Sequence, residues 1–514
     1  MNVEYTKIKR EPDVYTESSA DYSLPDYNGD IKKVIYTSAT AIPNSKYADG
    51  DTISASGVVS YDMLYLDSED KINKINYTSD YDFDVKLSSE ECVSCDVETK
   101  LSGYTHRIIG PRRVNFKSNL VSEIRVCEKA DMKTEGIEEN GDAEYAKENA
   151  DFEKCVFVEG SEREYSEVLA RLEGVTEDDV EVLHLTASTK LDDAVTESGT
   201  LDIKGKYTVN SVVRCDGSVV AYKIEIPFNE RVENEEITPD MSVYIVPKIV
   251  SLTSSLNPDD DGVTVTVSLI GSFDARLYTN TVVDYVSDAY LKSRGYENKY
   301  EKVNHTSNVL CDRISFTVSE ALPISDLTEM SLRDILFVGA VGKVTSFTAL
   351  ASSAEVNLEE KITLILSDVN ENGEQSVFSV KAPLNIKKNV NIGCQIPANS
   401  KVEYRIVTND VVASIDGENI YFDFDIEMNL VISEDKSFKR VVKTEPNSED
   451  VLEIKNNVIS VYFPTGSDTL FDVARKFGTS AKKIAADNAL TEAAMLSLTA
   501  PASLNGVRKL IIKR

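Results

Sequence analysis

The sequence predicts a mainly β chain: three similar β-rich, sandwich-like bodies in tandem, closed by a small α+β module. Three observations predict it. A pattern of glycine, apolar strand, polar turn and second strand recurs along the chain. Each occurrence is followed by a strictly alternating strand. The C-terminal stretch then switches from a period of two to helical spacing.

The first copy is SGVVSYDMLYLDSEDKINKINYTSDYDFDVKL (residues 56–87). The second is KGKYTVNSVVRCDGSVVAYKIEIPFNERV (204–232), and the third EEKITLILSDVNENGEQSVFSVKAPLNIKKNV (359–390). Gly57 and Gly205 open the first two, Phe83 and Phe228 close them, and Leu384 takes the Phe place in the third. Asp216-Gly217 and Asn372-Gly373 are hairpin dipeptides, because both residue types tolerate positive φ. The alternating strands are RVNFKSNLV (113–121), VTVTVSLI (263–270) and IYFDFDIEMNL (420–430). In the last, Phe422, Phe424, Ile426, Met428 and Leu430 share one face, the mark of a sheet with one side buried. The alternative is one large β domain with accidental similarity.

The connectors differ. Residues 128–153 carry 10 acidic and 3 basic side chains and read as a solvated loop. Residues 161–174 read as a helix, with Ser161 and Glu164 as capping box, Tyr165, Val168, Leu169 and Leu172 as stripe, and Gly174 as stop. Residues 444–454 (TEPNSEDVLEI) read as a hinge. The expected division is an N-terminal arm (1–34), first body (35–127), acidic linker and helix (128–180), second body (181–285), connector (286–335), third body (336–443), hinge (444–456) and end module (457–514).

In the end module, NVISVYFP and VRKLIIK are strand-like. Between them Leu470, Val473, Ala474 and Phe477 fall at i, i+3, i+4, i+7, with Ser467 or Asp468 as cap and Gly478 as stop. A second helix starts at Thr479 or Ser480, turns Ile484 inward and ends at Asn488.

The formal charge of −32 argues against nucleic-acid binding and against a basic membrane surface. Residues 459–514 hold 8 Lys+Arg and 4 Asp+Glu, so the module carries +4 and the remainder −36. No signal-like segment and no apolar run long enough to span a membrane is visible, so the expectation is a chain that stays on the side where it is made. Seven scattered cysteines fit free thiols in a reducing compartment.

Enzymatic chemistry finds little footing. His106, His184 and His305 are isolated. Cys92-x2-Cys95 lacks a second pair. NPDDDG (257–262) imitates a calcium loop but has Ser268 at the twelfth position, and reads as a hairpin turn. No metal, cofactor or catalytic residue is expected. A glycosidase carboxylate pair cannot be singled out among 87 acidic residues.

The glycine-strand-turn-strand pattern, Ile226-Pro227-Phe228, the looser Ala382–Ile386 stretch and Asp288-Ala289-Tyr290 together resemble the SPOCS (spore-coat-associated) repeat. The end module resembles LysM: Gly466-Ser467-Asp468-Thr469-Leu470 matches its Gly-Asp-Thr-Leu with one insertion, and Ile484 with Asn488 matches its Ile-x3-Asn. The closing strand departs from the pattern, ending Leu510-Ile511-Ile512-Lys513 without Ile-Pro.

LysM modules commonly bind N-acetylglucosamine glycans such as peptidoglycan in a shallow groove. The resemblance places that groove at Gly466, Ser467, Asp468, Thr469, Leu470, Asn488, Ala489, Leu490 and Thr491. The same residues serve equally as a protein-docking surface, or as caps and core alone. SPOCS-plus-LysM resemblance implies a non-catalytic spore-coat scaffold of the mother-cell cytoplasm at the forespore surface, engaging a coat basement-layer protein. The alternatives are a peptidoglycan-binding wall or phage-particle protein, and a wall hydrolase.

Overall fold

A computed structural model describes residues 2–87, 92–133, 142–329, 334–369, 375–451, 458–465, 467–490, 504 and 507–513. The chain is mainly β, in several separate sheets.

In the N-terminal part, β1 (Asn2–Arg10) and β2 (Val14–Ser23) lead into a meander of β3 (Ile31–Asp49), β4 (Thr52–Asp67) and β5 (Ile72–Lys86). β6 (Cys92–Gly110) and β7 (Arg113–Lys133) follow as a hairpin. β1 and β2 return to pair with the two halves of β7. The same plan recurs. β8 (Ala143–Glu159) and β9 (Arg163–Glu173) precede the meander β10 (Val180–Glu197), β11 (Thr200–Cys215), β12 (Ser218–Glu233) and the hairpin β13 (Ser242–Pro258), β14 (Gly262–Leu291). Both β8 and β9 pair with β14. In the third occurrence the leading pair is one continuous strand, β15 (Arg294–Pro323), followed by a one-turn helix α1 (Ile324–Leu327). The meander β16 (Asp334–Ala349), β17 (Ser353–Val369), β18 (Gln375–Asn391) and the hairpin β19 (Ser400–Asp416), β20 (Asn419–Val451) complete it, with β15 paired to β20.

In each repeat the meander packs on the hairpin sheet. Phe422, Phe424, Ile426, Met428 and Leu430 are fully buried against Leu364, Leu366 and Phe378 of the facing sheet. Each such side chain contributes about 1.5–3 kcal/mol over leaving it wet. Asp216 and Gly217 have φ of 46° and 75°, the positive pair that closes the β11–β12 turn. Asn372-Gly373 lies outside the described residues. The NPDDDG stretch is a turn: Asp259 accepts from the backbone N–H groups of Asp261 and Gly262.

The repeats meet through matching positions. β-bulges fall between Val34 and Tyr36, Val182 and His184, and Ile335 and Phe337. The residue after each bulge pairs with Leu64, Val212 or Ile365 respectively. The bulged residues Ile35, Leu183 and Leu336 pack with those three in one buried cluster. The rings of Tyr36, His184 and Phe337 close into a triangle, with centroids 4.8, 5.4 and 4.7 Å apart. Three equivalent positions thus form one contact around an approximate threefold axis.

The hairpin sheets meet over charge. Arg276, 2% exposed, gives Nε to Asp96 (2.6 Å) and Nη2 to Glu98 (2.5 Å), with Tyr244 against its guanidinium. Arg125 and Arg10 both reach Glu403, and Lys46 joins Asp96 to Asp274. Burial pushes the Glu98 carboxyl up, but Arg276, Lys100, Arg405 and Arg125 outweigh it and hold it at about 2.

Several expectations need correction. Residues 161–174 are not a helix but mostly β9. Its apolar stripe mimics helical spacing because of a bulge: Ala170 pairs with Val265 and Val168 with Thr266, which leaves Leu169 over. The extra residue turns Tyr165 and Leu172, an odd seven apart, toward the same core. The expected loop at 128–153 is strand at both described ends, 128–133 and 143–153. The expected arm contains β1 and β2, paired to β7, and the expected connector at 286–335 holds the end of β14 and the whole of β15. Of the hinge, 444–451 continue β20, paired to 294–298 of β15, and 452–456 lie outside the described residues.

The repeat register also shifts. The partner of Gly205 is Phe228, but that of Gly57 is Tyr81, not Phe83. A Cβ on Gly57 would stand 2.4 Å from the Tyr81 hydroxyl, and one on Gly205 2.7 Å from the Phe228 ring, so glycine makes room for each. In the third repeat the matching pair is Leu358 with Ile386, while Leu384 faces Glu360.

Candidate functional site

The C-terminal segment forms strand, helix, helix and strand. β21 (Ile459–Tyr462) pairs antiparallel with β22 (Leu510–Lys513). α2 (Leu470–Phe477) opens on a reciprocal capping box between Thr469 and Asp472 and ends at Gly478, φ 59°. α3 (Ala481–Asp487) is capped by Ser480, whose hydroxyl accepts from the Lys483 N–H. Leu470, Val473, Ala474, Ile484 and Ala485 pack on Leu510 and Ile512 beneath them.

Of the nine sequence-expected site residues, Gly466 and Thr491 lie outside the described residues. The structure engages most of the others internally. Asp468 accepts from the Tyr462 hydroxyl (2.9 Å) and the Thr465 N–H (2.8 Å), and these bonds, the backbone one first, hold its carboxyl below the usual range. Its carbonyl accepts from the Leu504 N–H. Thr469 is committed to its cap, and Leu470 is core. Asn488 staples α3 to β22: Nδ2 donates to the Ile484 and Ile511 carbonyls (2.8 and 2.7 Å), and Oδ1 accepts from the Ile511 N–H (2.6 Å). Ala489 takes a positive φ of 50°, and Leu490 bonds back to the Ala485 carbonyl and joins the module core. Ser467 is exposed, and its hydroxyl lies 3.3 Å from that of Thr465. The two-stranded sheet links the two loops, through Tyr462 to Asp468 and through Ile511 to Asn488.

The opposite end of the helical pair sits on the second repeat. The Tyr290 hydroxyl donates to the Thr479 carbonyl (2.7 Å), its ring meets Phe471 edge-on at 5.0 Å, and Arg475 pairs with Asp288 at 2.6 Å. A Cβ on Gly478 would stand 2.8 Å from the Lys292 carbonyl. Phe471, outside the expected helical stripe, is buried here. Asp288-Ala289-Tyr290, quoted above as a repeat signature, is thus the seat of the end module, a role no local signal announces. The loops carrying Ser467 to Leu470 and Asn488 to Leu490 lie at the other ends of α2 and α3 from the Gly478 turn, with Phe471 in the first turn of α2 also packed on Tyr290.

The scattered chemistry stays scattered. His184 and His305 pack among aromatic rings, and burial lowers the His184 pKa to about 4. All seven cysteines are free. Burial, aided by neighbouring charge, pushes the Cys95 thiol up to about 11, the reverse of an activated nucleophile. Among the described residues no group of three or more His, Cys, Asp or Glu could hold a metal ion, and no helix is long and apolar enough to cross a membrane.

The family model described as "SipL, SPOCS domain" matches residues 171–257, from the end of β9 into β13. This supports a SPOCS-domain protein with a spore-coat-associated role. No curated protein matches the chain. Among solved structures, a crystal structure of lipopolysaccharide binding protein aligns at 7% identity over 51% of this chain and 91% of that one. Its TM-score of 0.10 carries no argument about fold.

Proposed function

We propose that the chain is a non-catalytic scaffold of spore-coat assembly, built from three SPOCS-type β units and carrying a LysM-like docking module. The units are taken as residues 2–133, 142–291 and 294–451, the limits within which leading strands return to their own hairpins. The scaffold acts at the forespore surface, on the mother-cell side. Its module docks on a coat basement-layer protein through the loops around Ser467 to Leu470 and Asn488 to Leu490, with Gly466 and Thr491 assigned by resemblance.

The observation that carries this reading is the seating of the module. The α2–α3 turn is fastened to the second repeat by Tyr290 and Asp288, which fixes how the module sits on the body. A module held this way presents a surface in a set orientation, which suits a scaffold. Peptidoglycan binding in a wall or phage particle is the second reading. It is favoured by the same loops, and disfavoured by the engagement of Asp468 and Asn488 in the module's own bonds.

The test compares the full chain with one lacking residues 450–514. Loss of localisation to the developing spore in the shortened chain, with no co-sedimentation of the full chain with purified peptidoglycan, is the expected result. Co-sedimentation that disappears with residues 450–514 overturns protein docking in favour of the glycan.

A further inference from the structure

The two-stranded sheet of the end module buries one face only. Tyr462, Leu510 and Ile512 turn toward the helices, so Ile459, Val461, Phe463 and Ile511 turn outward by the alternation of the strands. Ile459, Val461 and Phe463 are 68%, 54% and 70% exposed. Lys509 and Lys513 alternate with Ile511 along this face and are both exposed, Lys513 in weak contact with Asp487 at 3.5 Å. Among the described strands nothing pairs with the free edge of β21. A contiguous apolar face bordered by cations on a +4 module marks an interaction surface, not a solvated one.

A complementary surface exists on the same chain. At the tip of the β19–β20 hairpin, Val412 pairs with Asp423 and Ser414 with Tyr421, so these side chains share the outer face with Asp416. Val412 and Tyr421 are exposed apolar groups, and Asp416, Glu418 and Asp423 are exposed carboxylates around them. This tip is one end of β20. The other end of this 33-residue strand, Val451, pairs with Arg294 close to the strand ends that seat the end module. The two faces therefore lie near opposite ends of one strand whose contour is on the order of 100 Å.

We infer that the outer face of the β21–β22 sheet docks on the β19–β20 tip of a second copy of this chain. Unlike surfaces make a head-to-tail contact, which continues into a ring or an open array. Charge selects this occupant: the basic apolar face meets the acidic apolar tip, whereas two basic faces would repel. The inference deepens the scaffold reading and rests on it for its role, though not for its detection.

Sedimentation velocity of the full chain across a wide concentration range tests it. The wild-type chain should gain mass with concentration. Val461→Glu with Phe463→Glu should hold it monomeric, with circular dichroism reporting the fold. Lys509→Glu with Lys513→Glu, and separately Asp416→Lys with Asp423→Lys, should each weaken association about tenfold or more. A mixture of those two charge-reversed chains should recover it through the swapped pair. A monomeric wild-type chain, or charge-reversed chains that associate like wild type, overturns the inference. A monomeric chain that still reaches the developing spore overturns self-association alone and leaves the docking reading standing.

Discussion

His184 and Phe337 hold their rings 4.7 Å apart, edge to face, from equivalent positions of the second and third repeats. Tyr36 of the first repeat closes the triangle, and the pair is buried where all three meanders converge. Burial keeps the imidazole neutral, with its pKa lowered to about 4 against an ordinary 6.5. The unfolded chain therefore takes up a proton that the folded chain refuses. Stability is fully present above pH 6.5 and is lost as pH falls through 4, by up to about 3 kcal/mol from this group. His184→Phe should lose less stability than wild type between pH 7 and pH 4.5 in urea titrations. An identical loss in both chains would remove His184 from the account.

Glu360 carries the opposite sign. It is fully buried, Thr408 donates to its Oε1 at 3.0 Å, and its Oε2 has no partner among the described residues. Burial raises its pKa to about 7, from 4.5. Its contribution is fully present below pH 4.5 and is lost as pH rises through 7, by about 3 kcal/mol or less. Glu360→Gln should stabilise the chain at pH 8 and be near neutral at pH 4, read from denaturant midpoints.

Arg276 is the hinge of the ionic junction. Arg276→Ala leaves Asp96 and Glu98 buried without their main cation and should cost about 3–5 kcal/mol. Replacing all three together by apolar residues of similar size should recover most of the loss. If the triple substitution is as unstable as Arg276→Ala, the penalty is one of packing.

Tyr290 and Arg475 govern the seating of the end module. Tyr290→Phe removes one hydrogen bond and should cost about 1 kcal/mol in the stability of the docked state. Tyr290→Ala with Arg475→Ala should uncouple the module, seen as faster proteolytic release of the C-terminal fragment while the β body stays intact. Unchanged release rates would show that the seat is not held there.

Ser467 and Asn488 separate a ligand surface from a structural one. Asn488→Ala breaks the three bonds to Ile484 and Ile511 and should lower module stability by about 2–3 kcal/mol. Ser467→Tyr, on an exposed side chain, should leave the melting profile unchanged and weaken docking in a binding titration. Equal binding by Ser467→Tyr and wild type would move the contact away from this loop.

By itself the sequence determined what is local. Alternation in Phe422 to Leu430 named a buried face, and Asp216-Gly217 named a turn. The spacing of Leu470, Val473 and Ala474 with the stop at Gly478 named a helix, because each is set by neighbours within a few residues. The Ser480 cap and the Asn488 turn were legible for the same reason, but the cap of α2 is Thr469 in a box with Asp472, not the expected Ser467 or Asp468. Only the tertiary structure decided the rest. The bulge at Leu169 counterfeits a helical period until β14 supplies the pairing, and the swap of Phe83 for Tyr81 opposite Gly57 is a matter of cross-strand register. Arg276 with Asp96, and Tyr290 with Thr479, join residues 180 and 189 positions apart. Such contacts depend on how whole sheets stack, and local periodicity carries no record of which distant strand will lie beside it.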